Sequence, residues 1–228
     1  MNKMVSRTVF AATLLGVAGH ALAVSLTVQV FDRDGRALHD AVVLIDSANR
    51  QGAALPVLDA VVVQENLKFS PNLSLVTVGS KATFQNLDTW DHHVILGPMS
   101  PAGDYVDHSA TTQLRLAARG KTNGVPSEAR VVNRAGPHLL GCHLHASMRG
   151  YLYAADTPWA GITGADGKVT IRQVPDGPVK VRIWHPNQLL ETPVTTATVG
   201  AAADSLSIKT QVAPSVRKKP RSEDPYYQ

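Results

Sequence analysis

The chain has 228 residues, 44% of them hydrophobic and only 5% aromatic, with a single cysteine. One cysteine excludes a disulfide framework within the chain. The formal net charge of +4 sits at the two ends, in Lys3 and Arg7 and in the excess of Arg217, Lys218, Lys219 and Arg221 over Glu223 and Asp224, so the body is neutral and offers no basic face for nucleic acid.

Residues 1–23 read as a secretory signal. Lys3 and Arg7 form a positive start, Thr8 to Ala18 is uncharged, and Ala21-Leu22-Ala23 supplies small residues for a peptidase. Cleavage after Ala23 and a periplasmic location are expected, with no membrane span once the signal is removed. About 205 residues then remain, enough for one large or two small domains. In an oxidising compartment Cys142 should be buried, metal-bound or paired with another chain.

Val24 to Phe31 alternates as a strand, Asp32-Arg33-Asp34-Gly35 is a turn, and Ala41 to Ile45 is a more buried strand. Asp59 to Gln64 and Leu73 to Val78 are strand-like, separated by a break at Phe69-Ser70-Pro71. Ala82 to Asn86 runs into a histidine segment, and Val94-Ile95-Leu96 follows it. Gly97 to Asp104 reads as loop, and Thr111 to Ala118 fits either a strand or a short helix. His138-Leu139-Leu140 leads into the cysteine segment and Gly150 to Ala154 leaves it as a strand. Lys168 to Arg172 and Val179 to Trp184 flank Pro175-Asp176-Gly177 and read as a hairpin. Val194 to Val199 and Leu206 to Val212 are further strands, and the tail 213–228 is polar and Pro-rich, expected to be disordered. Many short strands without a long amphipathic helix predict an all-β sandwich.

Two segments carry the chemistry. Gly141-Cys142-His143-Leu144-His145-Ala146-Ser147-Met148 offers a thiolate, imidazoles and a thioether within a few residues. Asn86-Leu87-Asp88-Thr89-Trp90-Asp91-His92-His93-Val94 offers the further imidazole. Two imidazoles, a thiolate and a weak thioether are the donors of a copper electron-transfer site. Strand alternation sends His92 and His93 to opposite faces, so only one of them can join the site, and His143 competes with His145. Zinc accepts a thiolate and two imidazoles as well, but methionine is a poor zinc ligand. With one cysteine, a binuclear thiolate-bridged copper centre is excluded.

These segments resemble the cupredoxins, in which an Asn precedes a His-x-Val segment and a loop of the type Cys142-x-x-His145-x-x-Met148 closes the site. Only two residues separate His145 from Met148, fewer than in plastocyanin-like proteins. The resemblance implies a mononuclear copper, cycling between Cu(I) and Cu(II), held by His92, Cys142, His145 and Met148. It also implies that the Asn86 amide ties the two ligand segments together near the sulfur. The run from Met148-Arg149-Gly150-Tyr151 through Val174-Pro175-Asp176-Gly177 to Ile183-Trp184-His185, with Asp34-Gly35-Arg36 near the start, resembles exported plastocyanin-like proteins of the methylamine-utilisation type. In these a Greek-key cupredoxin sandwich is joined to a small carboxypeptidase-regulatory-like (transthyretin-like) sandwich. The implied organisation is a cupredoxin domain over 57–155, set between the first strands (24–56) and the remainder (156–212) of the second sandwich.

The expected function is a periplasmic one-electron carrier that meets a redox partner protein. The alternative is a copper-binding protein for delivery, storage or sensing without redox turnover. An enzyme is not expected, because there is no extra histidine set for a catalytic copper, no hydrolase constellation and no phosphate loop.

Overall fold

The computed structural model describes residues 23–50, 53–100, 106–200 and 205–214. Residues 1–22, nearly all of the expected signal (1–23), and 215–228, most of the tail, lie outside the described residues. The first half of the chain carries β1 (Ala23–Phe31), β2 (Val42–Ser47), β3 (Ala60–Glu65), β4 (Lys68–Ser70), β5 (Leu73–Thr77), β6 (Lys81–Asn86), β7 (His92–Pro98) and β8 (Thr112–Leu116). The second half carries β9 (Ser127–Val131), β10 (Gly136–Cys142), β11 (Arg149–Ala155), β12 (Trp159–Ile162), β13 (Lys168–Pro175), β14 (Gly177–Trp184), β15 (Thr195–Val199) and β16 (Ser205–Lys209). Among the described residues the one helical element is a single 3-10 turn at His108–Ala110. The fold is an all-β sandwich architecture, and no helix among the described residues is long and apolar enough to cross a membrane.

Four sheets stack as layers. The outer sheet β13-β1-β16 faces the sheet β12-β2-β14-β15 across a core that includes Val28, Val30, Val43, Ile45, Ile171 and Val181. The sheet β5-β11-β10-β7-β8 faces the sheet β4-β3-β6-β9 across Val62, Phe84, Val94, Leu96, Leu140 and Leu152. A third cluster, with Val42, Leu44, Leu73, Tyr153, Ala155 and Trp184, joins the two inner sheets back to back. This is why β2 is buried on both faces, from Val42 through Ile45. Its odd and even side chains enter different cores, so a continuous apolar run is required in place of alternation.

The structure departs from the sequence reading in several places. Residues 168–175 and 177–184 are strands, but they do not pair: β13 joins β1, while β14 joins β2 and β15. Gly177, at φ +108°, therefore turns a corner between layers instead of closing a hairpin. Thr111 to Ala118 resolves as the strand β8. Phe69 belongs to β4, which folds back on β3 through a two-residue turn at Asn66 and Leu67, both with positive φ, 53° and 58°. That is the backbone of a tight hairpin turn, formed here without glycine. Ser127–Val131 and Trp159–Ile162 are strands that the sequence reading did not identify.

Candidate metal centre

The centre of the site is a pair of neighbouring antiparallel strands. β7 and β10 pair with Cys142 opposite Val94 and Leu140 opposite Leu96. Because side chains alternate, His92, Val94 and Leu96 face the same core as Leu140 and Cys142. His92 and Cys142 are both buried, and they meet at the end of the sandwich where β10 runs out into the loop 143–148. Two backbone bonds hold this loop: the His143 N–H donates to the His93 carbonyl, and the Met148 N–H donates to the His145 carbonyl, each at 3.0 Å. The second closes a turn that brings the His145 ring back over Cys142.

Three donor atoms converge there. Cys142 Sγ lies 3.6 Å from Nδ1 of His92 and 3.6 Å from Nδ1 of His145, and the two nitrogens are 3.2 Å apart. His92 and His145 meet edge to face, with ring centroids 4.9 Å apart. Bonds of about 2.0 Å to nitrogen and about 2.3 Å to sulfur, at angles near 105–110°, span separations of this size. The donors therefore fit one metal ion held between them, and they form the one such cluster of three or more candidate ligands among the described residues. Met148 is buried in the same core as Cys142, three residues beyond His145. His145 is half-buried and is the one of the three with an edge in solvent.

The His92 ring is set from behind by a group that the sequence reading missed. Its Nε2 lies 2.9 Å from Oδ2 of the buried Asp88. With Asp88 ionised, Nε2 carries the proton and Nδ1 turns its lone pair toward Cys142 and His145. Burial opposes the charge on Asp88. Hydrogen bonds from His92 and from the Asn66 and Leu67 N–H groups outweigh it and hold the carboxyl below its usual range. The two donors come from the β3–β4 turn, whose left-handed backbone aims successive N–H groups at one carboxylate, as in an anion-binding nest. A carboxylate behind a ligating imidazole fixes its tautomer and raises its basicity. The readable signal was an acid four residues before the histidine, in a segment otherwise taken for its histidines.

Asn86 does something other than expected. Its Nδ2 donates to the carbonyls of Trp90 and Ala117, both at 2.8 Å, and its Oδ1 accepts from the Asp88 N–H. It ties the turn before His92 to the end of β8, and the cysteine loop is not among its partners. Asn86 ends β6 in the opposite sheet, and its amide is taken up by the turn before His92 and the end of β8.

The other histidines are apart from the cluster. His93 faces away from it, half-buried, and His143 is exposed. His39 pairs with Asp40 at the surface, and His108 sits exposed in the 3-10 turn. His138 is buried toward the far end of β10, with Nδ1 3.1 Å from the Gly136 carbonyl, and His185 is buried after β14. Trp90 and Leu144, on the two segments that bear the donors, are large apolar side chains left about half exposed.

No family model matches the chain, and no curated protein matches it. Among solved structures, amicyanin from Paracoccus versutus (Thiobacillus versutus) is similar at 18% identity over 49% of this chain and 97% of its own, with a TM-score of 0.33. A purple cupredoxin from Nitrosopumilus maritimus is similar at 19% identity over 42% of this chain and 100% of its own, also with a TM-score of 0.33.

Proposed function

We propose that this chain is a mononuclear copper protein that carries one electron, in which His92, Cys142 and His145 would hold the ion strongly and Met148 would be a weaker donor. The observation that carries the reading is the convergence of a buried thiol and two imidazole nitrogens, 3.2–3.6 Å apart, on two in-register strands. Copper bound there would supply a one-electron couple between Cu(I) and Cu(II). Soft thiolate and thioether donors beside imidazoles favour it over zinc.

The protein's part is to hold the donors still. Strands fix Cys142 and His92, the Met148-to-His145 turn fixes the loop, and Asp88 fixes a ring. Donors that do not move when the charge changes keep the cost of electron transfer low. The half-exposed His145 ring is the route by which an electron would leave for a periplasmic redox partner protein. The organisation belongs to the same proposal, with a metal-bearing domain over 57–155 set within a sandwich built from 24–56 and 156–212. The pairing of β1 with β13 and β16, and of β2 with β12 and β14, supports it.

Reconstitution with Cu(II) tests the function. An intense visible absorption is expected in the full chain and should vanish in Cys142→Ser, and voltammetry should show a reversible one-electron wave. A band that survives in Cys142→Ser overturns the thiolate assignment. No reversible wave, together with rapid loss of Cu(I) to a chelator, would instead favour copper delivery or storage.

A further inference from the structure

The strands that hold the inner donors also bring two other histidines together on their opposite face. β7 and β10 pair with Cys142 opposite Val94, and the same register continues one step to place His143 opposite His93. The His143 N–H to His93 carbonyl bond, at 3.0 Å, shows that the pairing persists at that step. His92 and Cys142 point inward, so His93 and His143 point outward, in agreement with their exposure. Directly opposed residues on antiparallel strands have Cβ atoms about 4.5–5.5 Å apart. Two imidazoles on that spacing can close on a single ion.

We infer that His93 and His143 form a second metal site, on the outer face of β7 and β10, that takes a borderline transition-metal ion such as Cu(II) or Zn(II) through two imidazoles. Neutral imidazole suits both ions. The remaining positions on the ion are open to water, since the pair lies at the surface. Two charged groups border the pair. Arg115 is opposite His93 on β8 and exposed, and Asp91, two residues before His93, carries a carboxylate paired with Lys121 at 2.9 Å, so its charge is already matched there. The site goes beyond the inner centre and does not depend on it: the two sets of ligands share strands but no residue.

Titration of the full chain with Cu(II), followed by visible absorption and electron paramagnetic resonance, tests this site. Two equivalents are expected to bind. The first should give the thiolate band, and the second should give no such band but a resonance split by imidazole nitrogens. The double variant His93→Gln with His143→Gln should lose the second equivalent and keep the first, whose band also reports that the variant is folded. A His39→Gln with His108→Gln variant should keep both. A single equivalent in the unaltered chain overturns the inference, as does a second equivalent that persists in the His93/His143 variant. If the thiolate band is missing while the double variant still loses a bound ion, the inner reading fails and the outer site stands.

Discussion

His92 is gripped from both ends of its ring, by Asp88 at Nε2 and by the cluster at Nδ1. Asp88→Asn leaves an amide that can present either its oxygen or its NH2 group to Nε2, so the tautomer is no longer enforced. Metal affinity of the inner site is expected to fall by about 10–100-fold, as measured by competition with a chelator. The change also removes one of the two carboxylate oxygens that accept from the Asn66 and Leu67 N–H groups. At this scale the sequence was readable where chemistry is concentrated in rare residue types. Donor types singled out the two segments, alternation admitted only one of His92 and His93, and the family resemblance selected His92, Cys142 and His145. Asp88 did not stand out, because an acid in a loop looks like solvated charge until the fold buries it. The role of Asn86 was misread because its partners are backbone carbonyls, which carry no sequence signature.

Two strands show how burial makes stability depend on pH. His138 on β10 and His185 just after β14 are each held neutral, with pKa values lowered to about 4. Burial is the main cause in both. The Arg134 charge adds to it at His138 while the Gly136 carbonyl opposes it, and at His185 a hydrogen bond to the His39 backbone and the Asp40 charge oppose it while the His39 ring charge adds to it. Above pH 6.5 neither form of the protein protonates these rings. As pH falls from 6.5 toward 4 the unfolded chain takes up protons that the folded chain refuses, so stability drops, by about 3 kcal/mol for each histidine. Thermal unfolding followed across that range should show the decline, and His138→Gln should flatten it. A tight corner sets a second expectation. Gly167, at φ +73°, would place a Cβ 2.7 Å from the Val30 carbonyl oxygen and 3.0 Å from the Leu38 nitrogen. Backbone atoms cannot step aside as a side chain can, so Gly167→Ala is expected to cost about 2–4 kcal/mol in chemical denaturation. Strands with clear alternation or continuous apolar runs were legible, as in β1 and β2. β9 was not, because nearly all of its residues are exposed and it is held by ladder bonds to β6.

The two sandwiches meet through Trp184, which packs against Tyr151 and Tyr153 with ring centroids 6.0 Å and 5.5 Å away. Its Nε1 is buried without a hydrogen-bond partner, so ring packing alone keeps it there. Arg182 adds a polar clasp, reaching Asp46 on β2 at 2.8 and 3.0 Å and Asp156, just past β11, at 2.6 Å. Trp184→Ala is expected to cost about 3–5 kcal/mol and to split thermal unfolding into two steps, with the thiolate band of the copper-loaded protein surviving the first. Which strands share a sheet could not be read from the sequence. The choice between β13 pairing with β14 or with β1 is made by whole cores, and local alternation is identical in either arrangement.

The parallel pairing of β1 with β16 joins residues such as Val28 and Leu206 and has a consequence for the order of assembly. The outer sheet cannot close until nearly the whole chain has been made, and contacts so distant in sequence are slow to form. The strands around Cys142 draw only on residues between β3 and β11, so they can condense while the first two strands still wait for partners. The sandwich that carries Cys142 is thus expected to form before the layers beside it, which brings His92, Cys142 and His145 together while the outer sheet is still open.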